Sequence, residues 1–387
     1  MEVDSLQRHA HVGDFVVSSP VGLSGRATIL KKLFGWLSYR WDWLQVEVSS
    51  QCNAACAYCP TAIYRKEGCN LLMSLETFTR LSPSFSQTKL VYLQGWGEPF
   101  LNPHFFEMVC MAKAAGCRVG TTTNGMLLEA DKLTELARSG VDVIAFSLAG
   151  CTETNDVFRK GTRLAQVLET IRQLTMVKEK EKSTRPEIHI AYLLLRSGLE
   201  EIEQLPVILA GLGISQVVIS TLDFVPLPTL ECEALIPASQ DEYSRLRAQL
   251  DRLAAIGKQF GLDIHSQIVA PQDAIDEMCL SANGERDFAA FLPMTRPACT
   301  ENIQNAVFVS ASGEVSPCVF TNLPVKLSEA VAARMGWPYQ PMIFGNIRSR
   351  SLEAIWQSQA YRAFRHSHHA GSLKGPCQAC LKTKVIS

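Results

Sequence analysis

The strongest constraint on the fold is an alternation of two hydrophobic patterns between residues 43 and 222. Short apolar runs predict six strands, at 43–49, 90–94, 118–123, 141–148, 187–195 and 214–222. The segments between them have the apolar spacing of helices, at 74–85, 103–115, 129–139, 162–182 and 199–211. Repeated strand–helix–strand units predict an α/β fold of parallel strands with right-handed crossovers. This periodicity does not distinguish an open sheet from a barrel.

The pattern changes after residue 223. Four further elements are predicted: a proline-bearing loop at 224–239, an amphipathic helix at 240–260, a β-hairpin at 305–318 and a last helix at 351–366. We therefore divide the chain into three parts: an N-terminal extension (1–42), a first domain (43–265), and a linker with a small C-terminal domain (266–387).

Charge and targeting signals narrow the partners and the compartment. The 37 basic and 38 acidic side chains give a net charge of −1, so no general attraction to nucleic acid is expected. The N-terminus lacks the pattern of a secretory signal, and no apolar run reaches the roughly 18 residues of a spanning helix. The sequence therefore predicts a cytoplasmic protein without a nucleic-acid partner.

The N-terminal extension contains one segment with a pattern of its own. Residues 26–41, RATILKKLFGWLSYRW, predict a basic amphipathic helix. Such a helix can dock a partner or lie on a membrane surface. Packing against the first domain is the favoured interpretation.

The 13 cysteines should be thiols in the cytoplasm, and closely spaced thiols there favour metal binding over disulfides. Cys52, Cys56 and Cys59 lie together in CNAACAYC, directly after the first predicted strand. A cubane iron–sulfur cluster normally takes four thiolates, so three would leave one iron open to another ligand. The alternatives are a zinc knuckle whose fourth ligand lies elsewhere, or three ordinary core cysteines.

Four motifs together resemble the radical S-adenosylmethionine (AdoMet) enzymes. The cysteines follow the family's CxxxCxxC spacing, with an aromatic residue, Tyr58, before the third. GWGEP (95–99), TNG (123–125) and FSLAG (146–150) follow the next three strands in the family's order. Trp96 replaces a usual glycine in the first of these motifs, and Ala149 replaces a usual aspartate in the last.

The resemblance implies a partial (β/α)6 barrel with its chemistry at the carboxyl ends of the strands. A 4Fe-4S cluster on the three cysteines would bind AdoMet and cleave it to a 5′-deoxyadenosyl radical that abstracts hydrogen from a substrate. Gly95 and Gly97 would let the backbone approach this cosubstrate closely. The implied cofactor-binding residues are Tyr58, Gly95, Gly97, Glu98, Asn124, Ser147 and Arg159. For Arg159, a surface position at a helix start is the alternative.

A second set of cysteines lies in the C-terminal part. Cys299 and Cys318 flank the predicted hairpin, and Cys377 and Cys380 form a CxxC near the end of the chain. This arrangement resembles the SPASM and twitch extensions of radical AdoMet enzymes and implies one auxiliary 4Fe-4S cluster. A structural zinc site is the alternative. Cys69 and Cys279 could approach the active site, and their role stays open.

The resulting hypothesis is a radical oxidoreductase, or an enzyme of a related radical transformation. It would act on a small-molecule or peptide substrate, with an electron donor such as flavodoxin or ferredoxin. Peptide or cofactor maturation is a related alternative; an iron–sulfur electron carrier and a zinc-stabilised binding protein are alternatives of other classes. Asp223 and Tyr192, at the ends of the last two strands, are candidates for substrate contact or proton removal.

Overall fold

A computed structural model provides the three-dimensional description of the chain. It describes residues 39–68, 70–269, 299–326, 339–370, 372–378, 380–383 and 385–386, single positions between 328 and 335, and the short strands β1 (Ala10–Val12) and β2 (Phe15–Val17). Cys69, Cys279 and most of the predicted helix at 26–41 lie outside these residues. Trp41, at the end of that prediction, begins a strand instead.

The six predicted strands form the parallel centre of one sheet, as expected from the alternation. They are β3 (Trp41–Val46), β5 (Thr88–Leu93), β6 (Arg118–Thr123), β7 (Val143–Leu148), β9 (Glu187–Leu194) and β10 (Ile214–Thr221). They lie side by side in chain order, and every neighbouring pair is parallel. Their carboxyl ends therefore meet at one edge.

The sheet continues on both sides of this centre. On one side β11 (Asp263–Val269) pairs in parallel with β10, and β15 (Val385–Ile386) pairs antiparallel with β11. On the other side β12 (Ala306–Val309) pairs in parallel with β3. It forms the predicted hairpin with β13 (Glu314–Ser316), which pairs with β14 (Gly345–Asn346). The C-terminal hairpin thus begins beside the first strand of the barrel.

Most helices of the described residues lie in segments predicted as helical, but those at 60–63 and 153–158 were not predicted, and the segment predicted at 199–211 is α-helical only at 205–209. The helices are α1 (Pro60–Ile63), α2 (Leu75–Thr79), α3 (Ser82–Phe85), α4 (Phe105–Ala114), α5 (Ala130–Arg138), α6 (Glu153–Phe158), α7 (Leu164–Lys180), α8 (Leu205–Leu209), α9 (Gln240–Gln259), α10 (Leu352–Trp356) and α11 (Gln359–His369). The segment predicted as one helix at 74–85 divides before Pro83. The last helix divides where Ser358 caps α11 through the N–H of Tyr361.

The side chains of each strand alternate between two cores. Leu44 and Val46 pack among the helices, whereas Trp43 points to the other face, where it packs with Leu90 and Tyr92. Both faces are apolar because the parallel strands are buried on both sides. Near the carboxyl ends the inner face changes to polar or half-buried side chains, which makes this edge the place for chemistry.

Within the described residues, no helix combines the length and apolar composition needed to cross a membrane.

Candidate active site

The loop after β3 brings Cys52, Cys56 and Cys59 to the carboxyl edge of the sheet. Cys56 lies in the short strand β4 (Ala55–Cys56), which pairs with β8 (Arg159–Lys160), and Cys59 precedes helix α1. The N–H of Ala54 donates to Cys52 Sγ over 3.4 Å. Burial raises the pKa of the Cys52 thiol to about 11 and that of the Cys59 thiol to about 12. Binding of iron would therefore have to displace these protons.

The GWGEP motif packs directly on the segment that leads to Cys52. The N–H of Glu98 donates to the Gln51 carbonyl over 2.7 Å. A Cβ atom on Gly97 would lie 2.3 Å from the Ser49 carbonyl oxygen, and one on Gly95 would lie 2.3 Å from Glu47 Cγ. Both positions therefore need glycine where the motif packs on segment 47–51, and the close approach of this backbone to AdoMet stays a prediction.

Gly97→Ala is expected to destabilise the protein by about 1–3 kcal/mol, because the added methyl group collides with backbone. The displaced motif should also weaken AdoMet binding about tenfold, equivalent to about 1.4 kcal/mol. Thermal unfolding and equilibrium dialysis with AdoMet measure the two effects. Gly198→Ala is the matched control, since its Cβ would meet nothing closer than 3.8 Å. Equal effects of both substitutions would contradict the packing argument.

The Glu98 carboxylate links two loops at the carboxyl edge of the sheet, and its contact with AdoMet stays a prediction. Its side chain accepts hydrogen bonds from the Thr123 hydroxyl (2.7 Å), the Asn124 N–H (2.8 Å) and the Phe100 N–H (3.3 Å). Burial raises the pKa of this carboxyl, although the first two of these donors lower it. Glu98 therefore fixes the TNG loop against the GWGEP loop.

Asn124 lies against the three-cysteine loop. Its Nδ2 donates to Asn53 Oδ1 over 2.8 Å and lies 3.9 Å from Cys52 Sγ. Ser147, at the end of β7, is half-buried and shares the inner face with Ala145, two residues earlier. The Asn124 and Ser147 side chains are thus near the mouth of the barrel, and their contact with AdoMet stays a prediction.

Arg159 is buried beside the three-cysteine loop, so the surface alternative is wrong. Its backbone pairs with Cys56, and its Nη1 donates to the Tyr58 hydroxyl over 2.7 Å. Burial lowers the pKa of the guanidinium, but Tyr58 and Cys56 raise this pKa by a larger amount. The pKa of Arg159 is therefore above its usual value. Its Nε is buried and finds no hydrogen-bond partner in the described part of the chain. A buried N–H group that has no acceptor within the protein fits a ligand with an anionic group, such as a carboxylate.

Tyr192 does not reach the cleft, which corrects its prediction as a substrate contact. It is buried in the core between the sheet and the helices, and its hydroxyl lies 3.6 Å from Cys151 Sγ. Its neighbours Ala191 and Leu193 face the other way. Successive residues of a strand point to opposite faces, so Tyr192 and Leu193 cannot share the cleft.

The second cysteine set converges from three segments. Cys299, Cys318, Cys377 and Cys380 all line one cavity of about 370 Å³, which we call the four-cysteine cavity. Burial raises the pKa of all four thiols, to about 11 for Cys377 and about 12 for Cys380. Four thiolates are the full ligand set of a cubane cluster.

A smaller cavity of about 150 Å³, the central cavity, lies between the two cysteine sites. Its wall includes Cys59 from the three-cysteine loop and Phe320, which follows Cys318. Asp223, Phe224 and Phe320 line both this cavity and the four-cysteine cavity. The other lining residues are Tyr58, Trp96, Leu193, Ser220, Thr221, Leu222 and Lys382.

A buried group of charges adjoins the central cavity. Lys382 Nζ lies 3.3 Å from Asp223 Oδ2 and 3.7 Å from Glu301 Oε1, and all three side chains are at most 5% exposed. The other oxygen of Asp223 accepts a hydrogen bond from the Thr221 hydroxyl over 2.6 Å. Sequence reasoning found Asp223 but missed Lys382 and Glu301. The sequence did offer one signal for these two residues, which is their distance from the cysteines. Lys382 lies two residues after Cys380, and Glu301 lies two residues after Cys299.

In the residues with described positions, no group of three or more His, Cys, Asp or Glu side chains is arranged to hold a metal ion. A single zinc ion needs its ligands at about 2.0–2.3 Å from one point.

Sequence comparison identifies two family matches in this chain. A family profile described as "Radical SAM superfamily" matches residues 46–184, and one described as "Iron-sulfur cluster-binding domain" (SPASM) matches residues 299–381. The chain belongs to the radical AdoMet superfamily. It is an enzyme of this superfamily with a C-terminal SPASM domain, and its cofactors are AdoMet, a 4Fe-4S cluster and auxiliary iron–sulfur.

Relatives that align with this radical AdoMet enzyme over most of their length carry names of different activities. It is 25% identical to the tungsten-containing aldehyde ferredoxin oxidoreductase cofactor-modifying protein of Pyrococcus furiosus, over 84% of this chain and 83% of that protein. It is 25% identical to the AdoMet-dependent heme synthase of Methanosarcina barkeri, over 88% of each. It is 24% identical to the PqqA peptide cyclase of Gluconobacter oxydans, over 87% of this chain and 82% of that protein.

Solved structures show the same fold. Streptococcus suis SuiB bound to S-adenosylmethionine superposes with a TM-score of 0.60 at 15% identity, over 88% of this chain and 71% of SuiB. The enzyme anSMEcpe with bound AdoMet and a peptide gives 0.54 at 16% identity, over 83% and 81%. The predicted partial barrel with a SPASM-like domain is thereby confirmed.

Proposed function

We propose that this radical AdoMet enzyme oxidises or rearranges a peptide or a cofactor precursor in the central cavity. The observation that carries the proposal is the position of that cavity, between the three-cysteine loop and the four-cysteine cavity, with wall residues from both. Relatives named as a peptide cyclase, a heme synthase and a cofactor-modifying protein support this substrate range. A ferredoxin or flavodoxin is the proposed electron donor.

The residues present fit the implied cofactors. Cys52, Cys56 and Cys59 would hold the first cluster, and the thiols of the four-cysteine cavity would hold one auxiliary cluster. Arg159 Nε, Asn124 and Ser147 would contact AdoMet, with Tyr58 holding the guanidinium in place. When bound, these groups supply one-electron chemistry: removal of a hydrogen atom from the substrate and a site for the electron that remains.

Asp223 is the proposed proton acceptor. A substrate that gives up a hydrogen atom and an electron must also lose a proton, and Asp223 lines the cavity where that would happen. Lys382 Nζ, 3.3 Å from Asp223 Oδ2, holds this carboxylate by charge attraction. The aromatic and aliphatic wall of the cavity limits access of water to the reacting carbon.

The test uses hydrogen transfer as its readout, since this transfer can be followed before the substrate is identified. The anaerobic holoenzyme is incubated with AdoMet and an extract of cells grown in deuterated medium, with and without protease treatment. Deuterium in 5′-deoxyadenosine shows that an extract component donates hydrogen, and its loss after protease identifies a peptide. Formation of 5′-deoxyadenosine with no deuterium from either extract would refute the proposed substrate classes.

Asp223→Asn is expected to separate hydrogen transfer from product formation. Deuterium should still enter 5′-deoxyadenosine, whereas the oxidised product, detected by its mass, should fall about 10²–10⁴-fold because the proton acceptor is lost. Asp42→Asn is the control: Asp42 also contacts the C-terminal part, through Asn302 at 3.0 Å, and lines neither cavity. Unchanged product formation in Asp223→Asn would remove Asp223 from the mechanism.

A further inference from the structure

The backbone of Trp96 is linked by hydrogen bonds to both the three-cysteine loop and the C-terminal hairpin. Its carbonyl oxygen accepts a hydrogen bond from the Thr61 hydroxyl over 3.0 Å and lies 3.9 Å from Cys59 Sγ. Its N–H donates to Glu47 Oε1 over 2.9 Å, and the other oxygen of Glu47 accepts from the Ala311 N–H over 3.1 Å. Ala311 lies in the turn between β12 and β13. The main chain of Trp96 therefore connects the three-cysteine loop with the C-terminal hairpin.

The indole ring makes a second connection. Its Nε1 donates to two carbonyl oxygens, those of Val319 at 3.1 Å and Asn322 at 3.2 Å. These residues form the turn directly after Cys318, a ligand candidate of the auxiliary cluster. The position carries a glycine in the motif that GWGEP resembles, and glycine has no side chain that could make these bonds.

The ring also forms part of the central cavity. It packs edge-on against Phe320, with ring centroids 5.7 Å apart at 83°, and lies 6.1 Å from Phe224. All three rings line the cavity. Edge-to-face aromatic contacts have a preferred geometry, so they fix orientation as well as burying area.

We infer that Trp96 is a positioning residue that sets the separation of the two cysteine sites and thereby the length of the central cavity. The inference rests on the assignment of clusters to those sites in the proposed function. Trp96 acts through Thr61 at one end and through the turn at 319–322 at the other. A large ring that merely filled the core would not need the two hydrogen bonds that Nε1 donates to this turn.

The first test is hydrogen–deuterium exchange of the holoenzyme with Trp96→Phe, which keeps an aromatic ring but loses the N–H donor. Amides of segment 319–326 should exchange on the order of tenfold faster, while the rest of the sheet keeps its protection. Trp356→Phe is the matched control, because Trp356 is a buried tryptophan of the C-terminal part that lines neither cavity. Equal exchange at 319–326 in wild type and Trp96→Phe would overturn the inference.

The second readout is the magnetic interaction between the two reduced clusters, measured by electron paramagnetic resonance. Trp96→Phe should change this interaction at unchanged iron content, and Trp356→Phe should not. If Trp96→Phe fails to fold, Thr61→Val replaces it as the test. This substitution removes the hydroxyl that donates to the Trp96 carbonyl oxygen, and it should change the magnetic interaction in the same way. An interaction unchanged in the folded variants would refute the positioning role. Absence of iron–sulfur in wild type would refute the proposed function instead, and exchange in the metal-free protein would still test the connection.

Discussion

Cys56→Ala is expected to lower the iron content from about eight to about four atoms per chain and to abolish 5′-deoxyadenosine formation. The three-cysteine loop has no spare thiol in the family pattern, and loss of one of three leaves too few ligands for a stable site. Cys56 is also the buried member of the set, on the strand that pairs with Arg159. Iron and sulfide analysis with product chromatography measures both losses.

Two further variants test whether the losses in Cys56→Ala are specific to the three-cysteine loop. Cys110→Ala removes an exposed cysteine on α4 and should keep all the iron. Cys377→Ala removes a ligand from the four-cysteine cavity, so it should lose the auxiliary iron while the other cluster still cleaves AdoMet. Cleavage that persists in Cys56→Ala, or a wild-type protein that holds about four irons, would contradict the assignment of two clusters.

The parts of the site that local sequence determines were predictable. The cysteine spacing and the polar motifs at strand ends depend on neighbouring residues, and parallel strands bring their carboxyl ends to one edge. Tyr192 shows the limit of this reasoning. Alanine, tyrosine and leucine at 191–193 are all apolar enough for a strand that is buried on both faces, so no alternation revealed which one faces the cleft.

The remaining parts depend on contacts between residues far apart in the chain. Arg159 reaches the three-cysteine loop only because β8 pairs with β4. Both strands are too short to leave a recognisable pattern in the sequence. The tryptophan of GWGEP was visible as a departure from the motif, but its bonds to 319 and 322 require the C-terminal turn to lie over the barrel. Lys382 likewise meets Asp223 only after the last segment has folded back.

Lys382→Met is expected to destabilise the holoenzyme by about 3–5 kcal/mol, because it leaves two buried carboxylates without their shared cation. Lys382 is 3% exposed, and its Nζ also lies 5.6 Å from the centre of the Phe320 ring. Methionine keeps a similar length, so the loss of charge dominates over the loss of packing. The shift of the anaerobic urea unfolding midpoint relative to wild type measures the effect.

Lys113→Met is the matched control for this prediction. Lys113 also pairs with one aspartate, Asp142, at 2.7 Å, but its side chain is 31% exposed, so the change should cost at most about 1 kcal/mol. The double variant Lys382→Met with Asp223→Asn should recover part of the loss, because one buried charge is removed with the cation. Equal costs for Lys382→Met and Lys113→Met would show that the buried cation does not hold the last segment to the barrel.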